Sequence, residues 1–334
     1  MDFKSYLNRN SNRINKLVSD YFVQQSNPDL SRYLYQPLSA FSAGAGKRHR
    51  PLICELACQA VGGDPERAHS AASAIEHFHS AALIHDDIAD ESELRRGQPS
   101  LHRQIGVGLA INAGDLALSQ VTGLLIEDKI LDDATKLKVL DELVQMTTRT
   151  IEGQALDLGW AQDKRFDLSI ADYMLMATLK TAHYSGGTPL AVGAIVGGGN
   201  EEQIEALRAF GIASGLAFQI QDDLLNLIGK KQATLKDYRN DITEGKRTLM
   251  VVHALQNSDE AAQLVEVLST HTNDADTLEW AVQAMIKSGS LEFAHQQAIE
   301  LVQQAKAELP RVLEPSKYRD LLLSMADFFI ERMN

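Results

Sequence analysis

The chain holds only two cysteines among 334 residues, Cys54 and Cys58. Four apart on an expected helix face, they cannot build a disulfide framework; they point to a reducing compartment and to two small buried hydrophobes. Positive charge is also scarce, because 32 Lys and Arg stand against 45 Asp and Glu, a net charge of -13. A balance of that sign repels nucleic acid and anionic lipid unless basic residues cluster locally, so no nucleic-acid partner is expected. Long apolar runs are missing too. No stretch approaches the roughly 18 uninterrupted apolar residues of a membrane helix, and the most apolar segment, Pro189 to Gly199, is short and glycine-rich. Met1 to Tyr21 has neither an apolar run of signal-peptide length nor a cleavage-like site. These absences predict a cytoplasmic protein with no integral membrane segment.

Proline is sparse and unevenly placed. The eight are Pro28, Pro37, Pro51, Pro65, Pro99, Pro189, Pro310 and Pro315, so Ser100 to Thr188 and Leu190 to Leu309 are proline-free, which suits long helices. Asp64-Pro65-Glu66 reads as a helix N-terminus, and Ile75, Phe78 and Ala82 then recur at helical spacing up to Asp86. Asn200 and Gln203 open another helix as a capping box, with Gly229 as its stop. Asp132, Asp133 and Asp163 to Arg165 read as connecting loops. Period-2 alternation and a βαβ rhythm are absent, and no linker divides the chain. With 44% hydrophobic residues, the expected fold is an all-α bundle in a single domain over 1–334, with 1–36 as an N-terminal helical segment. Trp160 and Trp280 carry no functional signal.

Two acidic clusters carry the chemistry. In Asp86-Asp87-Ile88-Ala89-Asp90, the first and last residues lie four apart on one helix face. Asp222-Asp223-Leu224-Leu225-Asn226 repeats the spacing with an amide in last place. Like charges stacked this way destabilise a helix unless a cation sits on them. Hard carboxylate oxygens suit Mg²⁺, which is commonly shared between a few carboxylates and substrate phosphates. One such cluster is more often a solvated face than a site. Two copies within apolar sequence, Ala81-Ala82-Leu83-Ile84 and Phe218-Gln219-Ile220, make that reading poor. Basic residues lie near both: Arg95 and Arg96 after the first, Lys236 and Lys246 after the second, Lys47 and Arg50 ahead of both. Arg grips phosphate bidentately and Lys acts as a point charge, so the set describes a cavity for diphosphates.

These residues resemble the trans-isoprenyl diphosphate (polyprenyl) synthases from about Pro37 to the C-terminus. The resemblance rests on Gly46-Lys47-Arg48-His49-Arg50-Pro51, the first aspartate cluster with Leu94-Arg95-Arg96-Gly97, Gly114-Asp115, Gly153-Gln154-Ala155-Leu156-Asp157, Lys180-Thr181, and Phe218-Gln219-Ile220-Gln221-Asp222-Asp223. It implies the isoprenoid synthase fold, mostly antiparallel helices around a deep central cavity, and a homodimer. The implied reaction joins isopentenyl diphosphate to an allylic diphosphate, with pyrophosphate lost and a proton then removed. Asp86, Asp90 and Asp222 would hold Mg²⁺, three ions per site, supported by Asp87 and Asp223. Arg95, Lys180, Lys236 and Lys246 would grip the allylic diphosphate, and Lys47, Arg50, His79 and Arg96 isopentenyl diphosphate. Lys180, Thr181 and Gln219 would stand beside the allylic cation. Asn226 departs from the family's usual aspartate, which puts a direct metal role for it in doubt. The spacing from Asp222 to Lys246 is nevertheless similar to certain geranylgeranyl diphosphate synthases.

Product length is argued from one helix. Ala82 and Ala81 precede Asp86 by four and five residues, where the growing tail must pass, and neither is the aromatic plug common in farnesyl-producing members. Phe78, another turn back, is a candidate floor, so the expected product is the C20 diphosphate, with C15 and C25 or longer as alternatives. The helix bearing Asn112 and Leu116 is the other candidate floor. Two further readings were weighed. His77, His79 and His85 beside Asp86 raise a His-Asp metal phosphohydrolase, which leaves the second acidic cluster unexplained. A silent regulatory subunit would have lost the aspartates and basic grips that this chain keeps.

Overall fold

The computed structural model describes residues 1–22, 25–44, 46–229 and 239–331. Helices account for nearly all regular structure: α1 (Phe3–Asp20), α2 (Gln36–Ala43), α3 (His49–Ala60), α4 (His69–Ala89), α5 (Val107–Glu127), α6 (Asp133–Gln162), α7 (Ile170–Ala177), a π-helical segment (Thr178–Gly187), α8 (Thr188–Val196), α9 (Glu201–Ile228), α10 (Leu249–Asn257), α11 (Ala261–Ser269), α12 (Ala275–Lys287), α13 (Ser290–Val312) and α14 (Lys317–Ile330). The expected starts and stops explain much of this. Asn200 and Gln203 form the reciprocal capping box of α9, which ends at Gly229. Asp64 caps a short 3₁₀ turn at Pro65–Ala68, and α4 continues from it. Two expectations shift. Asp132 caps α6 and Asp133 is its first residue, so they begin a helix. Pro310 sits inside the last turns of α13.

α4 packs along α5, the π-helical segment lies between α9 and α6, α13 lies on α9, and α3 lies on α8. Where backbones approach this closely, glycine is required. A Cβ on Gly186 would stand 2.1 Å from the Gly211 carbonyl oxygen. The core between these layers is aliphatic. Leu52, Ile53 and Leu56 of α3 are fully buried, each contributing on the order of 1.5–3 kcal/mol. Phe3 of α1 meets Phe328 and Phe329 of α14 at ring separations of 5.6 and 6.4 Å, tying the two ends of the chain together. Cys54 and Cys58 are buried and unlinked. Burial pushes both thiols up, Cys58 to about 12.

α5 is the one helix among the described residues that bears on the membrane expectation. Its run is broken by Asn112, Asp115 and glycines, yet by length and average composition it is long and apolar enough to cross a membrane, with 39% of that window buried inside the protein. The only strands among the described residues are a two-residue ribbon, Leu94–Arg95 paired antiparallel with Gln98–Pro99. Its turn is Arg96-Gly97, with φ of 55° and 77°, the positive pair that tight hairpin turns demand.

Candidate active site

A cavity of about 770 Å³ opens between α4, α6, the π-helical segment and α9. α4 lines it with Phe78, Ala82 and Asp86, spaced four apart so that they form one stripe. α9 answers with Phe218, Asp222 and Asn226 at the same spacing, and with Gln219 and Asp223 one position on. The helical periodicity thus turns both acidic clusters into one space. Lys47, Arg50, His79, Arg95, Arg96, Lys180, Thr181 and Lys246 also line it. Lys236 lies outside the described residues.

Basic side chains already hold the acidic wall. Arg95 donates from Nε to Asp87 Oδ1 at 2.8 Å and its Nη2 lies 3.5 Å from Asp86 Oδ2. Asp87 is fully buried and does not line the cavity; it backs the Arg95 guanidinium. Lys180 pairs with Asp157 at 2.5 Å and stands 3.7 Å from Asp86. Gln154 donates to Asp86 at 3.2 Å. Burial alone would push Lys180 down, but the Asp157 and Asp86 carboxylates outweigh it and hold the ammonium above its ordinary value. Asp90 departs from the expected placement. α4 ends at Ala89, so Asp90 is the cap residue and faces a neighbouring cavity of about 860 Å³. There it accepts from Lys246 at 2.9 Å, while Glu244 pairs with the same lysine at 2.6 Å. Lys246 and Asp157 line both cavities and form the partition. Burial, with Asp90 adding to it, pushes Glu244 up to about 7.

The other end of the cavity is cationic and aromatic. The Arg50 guanidinium lies 4.6 Å from the Tyr184 ring centre and donates to Ser185 Oγ at 2.8 Å. His79 stacks on the same ring. Burial and the nearby Arg50 and Arg96 hold that imidazole well below its usual range, hence neutral. Arg50 Nε and His79 Nδ1 are buried and find no hydrogen-bond partner among the described residues, a costly state that an anionic ligand relieves. Arg48 and Arg96 both adopt left-handed backbone conformations, φ 52° and 55°, strain of the kind held at functional sites. Arg48 is ion-paired with buried Glu76 and bonds Asn15 of α1.

At the second cluster, Asp223 accepts from the Tyr173 hydroxyl at 2.8 Å and from Gln219 Nε2 at 2.6 Å. Burial first, and Asp241 next, push its carboxyl up to about 8. Asn226 Oδ1 accepts from the Asp241 backbone N–H at 3.3 Å, so the amide that replaces the family's usual aspartate braces the loop that brings Asp241 to the cavity. The donor chemistry suits a hard cation, because Asp86, Asp222 and Asp241 offer only carboxylate oxygens to the cavity, but among the described residues no three acidic, histidine or cysteine side chains converge closely enough to hold one ion by themselves.

Of the length-governing candidates, Phe78 and Ala82 line the cavity, but Ala81 does not. It lies one helical step round, sealed at 0% exposure against Ala110, Ala113 and Ala117 of α5. Phe78 meets Tyr184 edge-on at 5.7 Å. Leu118, rather than Asn112 or Leu116, is the α5 side chain at the wall. Ile151 and Leu158 of α6 line the cavity from its side and are 60% and 38% exposed. His77 points away, bonded to the Ser73 carbonyl and stacked on Phe22, so the three histidines near Asp86 do not converge. His85 packs against Gly114 and stands 3.4 Å from Asp115. Asp157, Tyr173 and Tyr184 were assigned no role from sequence. Asp157 is visible in the sequence only as the end of a five-residue motif, and no spacing marks either tyrosine.

An almost wholly helical bundle with aspartates from two helices lining a shared cavity defines the isoprenoid synthase class. A family model described as polyprenyl synthetase matches residues 31–285. The short chain isoprenyl diphosphate synthase of Methanothermobacter thermautotrophicus is 37% identical over 318 residues, 94% of this chain and 95% of that one. The geranylfarnesyl diphosphate synthase of Natronomonas pharaonis is 35% identical, covering 96% and 94%. Among solved structures, geranylgeranyl pyrophosphate synthetase from Pyrococcus horikoshii superposes with a TM-score of 0.89 at 34% identity, over 99% of this chain and 98% of that one. A geranylgeranyl pyrophosphate synthase from Corynebacterium glutamicum, complexed with isoprenyl diphosphate and magnesium, does so at 0.88 and 28%, over 99% and 100%. The chain belongs to the polyprenyl synthetase family and is a trans-prenyltransferase.

Proposed function

We propose that this enzyme condenses isopentenyl diphosphate head to tail with an allylic diphosphate and stops at geranylgeranyl diphosphate. One observation carries the product assignment. Ala82, one turn from Asp86, leaves the cavity wall open, and Phe78, a further turn of about 5.4 Å away, is braced by Tyr184. A tail roughly one isoprene unit longer than a plug at Ala82 would allow meets an aromatic barrier there. A C15 product needs an obstruction at Ala82; C25 needs Phe78 to yield.

Asp86 and Asp222 are the proposed holders of Mg²⁺, three ions per site, joined by Asp90 only if it exchanges Lys246 for the metal, with Asp87 and Asp223 supporting them. When bound, the metal supplies Lewis-acid neutralisation of the leaving diphosphate. Arg95, Lys180, Lys236 and Lys246 grip the allylic diphosphate. Arg95, Lys180 and Lys246 rest on carboxylates, which sets these grips beside the proposed metal holders. Lys47, Arg50, His79 and Arg96 receive isopentenyl diphosphate. As the allylic C–O bond breaks, its electron pair leaves with pyrophosphate, and oxygen dipoles of Thr181 and Gln219 stabilise the carbon cation. The isopentenyl double bond attacks that cation, and the departing pyrophosphate accepts the proton then released.

The chain is read as one domain, acting in the cytoplasm without nucleic-acid or membrane partners, as a homodimer. An exposed stripe on α6, Leu137, Val144, Ile151 and Leu158, seven residues apart and 68, 55, 60 and 38% exposed, supports pairing with a second copy. Incubating the purified protein with labelled isopentenyl diphosphate and C5, C10 or C15 primers tests the reading. C20 as the main product, lost in chelator and restored by Mg²⁺, supports it. A dominant C15 or C25 product refutes the length assignment, and no turnover by the chain alone refutes an autonomous enzyme.

A further inference from the structure

Gln219 is an amide, and an amide can aim either its oxygen or its nitrogen at a neighbour. Its value beside a developing cation depends on which end faces the substrate. Here Nε2 donates to Asp223 Oδ1 at 2.6 Å. That contact sets the NH₂ end on Asp223 and leaves the carbonyl as the other end. Gln219 and Asp223 are four residues apart on α9, one turn, and both line the cavity.

Asp223 itself needs a restraint, because a carboxylate that turns carries the amide with it. The second oxygen is held by Tyr173. That residue follows the Ser169/Asp172 capping box of α7, is 1% exposed, and reaches Asp223 Oδ2 at 2.8 Å across 50 residues of chain. A ring of this size is ordinary core filling, and Tyr173 does pack in the main core. Its hydroxyl, however, is dispensable for filling and is aimed at the cavity side, where Asp223 lies.

We propose that Tyr173 is a positioning residue for the prenyl-transfer step: its hydroxyl holds Asp223, and Asp223 holds the Gln219 amide with its carbonyl oxygen directed to the allylic carbon. The inference rests on the placing of Gln219 beside the allylic cation in the proposed function. Tyr173 lines the cavity but is only 1% exposed, and it acts through two other side chains.

The test is a double-mutant cycle in the full-length enzyme with Mg²⁺, isopentenyl diphosphate and a C15 primer. Tyr173→Phe keeps the ring and removes one oxygen. It should lower kcat about tenfold, the low end of what lost outer partners cost, while KM for isopentenyl diphosphate stays within about twofold. In a Gln219→Leu background, where no amide remains to be aimed, the same change should cost less than about twofold. A merely structural hydroxyl would cost the same factor in both backgrounds, which overturns the proposal. So does a Tyr173→Phe enzyme with wild-type kcat, or a loss of kcat that the unfolded fraction, measured by thermal melt, accounts for. A wild-type chain that elongates no primer brings down the functional reading and this one together; an active wild type with an indifferent Tyr173→Phe brings down this one alone.

Discussion

Replacing Gly153 by alanine should disable the enzyme with little loss of folding. Gly153 lies on α6 against the π-helical segment. A Cβ built there stands 2.1 Å from the Lys180 backbone nitrogen and 2.5 Å from its Cα, where an ordinary contact begins at 3.4 Å. The obstacle is backbone, so the strand of chain carrying Lys180 and Thr181 must retreat by more than an ångström. Misplacement of that size costs about 100-fold in rate, equivalent to about 2.7 kcal/mol of barrier. Overpacking costs about 1–3 kcal/mol of stability, offset by about 1 kcal/mol that alanine gains over glycine in a helix. Steady-state elongation and a thermal melt on the same preparations separate the two effects. Gly159→Ala is the control, six residues along the same helix, where a Cβ meets nothing within 4 Å. A Gly153→Ala enzyme within about threefold of wild-type kcat/KM would show that the close approach does not position Lys180.

Three further outcomes are expected. Phe78→Ala should shift the main product beyond C20, and Ala82→Phe should shorten it to C15, read by chromatography of dephosphorylated products; an unchanged spectrum in Phe78→Ala places the floor elsewhere, with Leu118 and Ile151 next in line. Ile151→Glu should convert a dimer to monomer in sedimentation and lower activity, since the same side chain lines the cavity wall; a dimer that persists moves the interface off the α6 stripe. Without divalent metal, the thermal midpoint should fall as pH rises from about 5 to 8. Glu244 and Asp223 are raised in the folded chain to about 7 and about 8. A raised carboxyl binds its proton more tightly folded than unfolded, so the stabilisation is present below the unfolded value and lost as pH climbs through the folded one. Glu244→Gln should flatten that slope, and a midpoint that rises with pH over this window contradicts the assignment.

The partition formed by Lys246 and Asp157 gives the charge balance a local meaning. The chain carries a net charge of -13, yet one end of its cavity collects Lys47, Arg48, Arg50 and Arg96 around one space. Global charge describes the outer surface; the field inside a cavity is set by the few groups that line it.

What the sequence alone determined is whatever depends on spacing along one helix. Four-residue intervals placed Phe78, Ala82 and Asp86 on one stripe and Phe218, Asp222 and Asn226 on another, and capping residues marked where α9 begins and ends. Proline-free runs marked where α6 and α9 lie for the same local reason, the missing backbone N–H. The tertiary structure alone decided everything that depends on which helix lies opposite. Ala81 and Ala82 differ by one step of about 100°, and only the position of α5 shows that the first is sealed while the second faces the cavity. Asp90 shares the motif of Asp86, but the end of α4 turns it to the neighbouring cavity and Lys246, 156 residues away, claims it. Tyr173 and Asp157 find their partners 50 and 23 residues along the chain. No periodicity encodes such pairs, because they exist only once packing has chosen which faces meet.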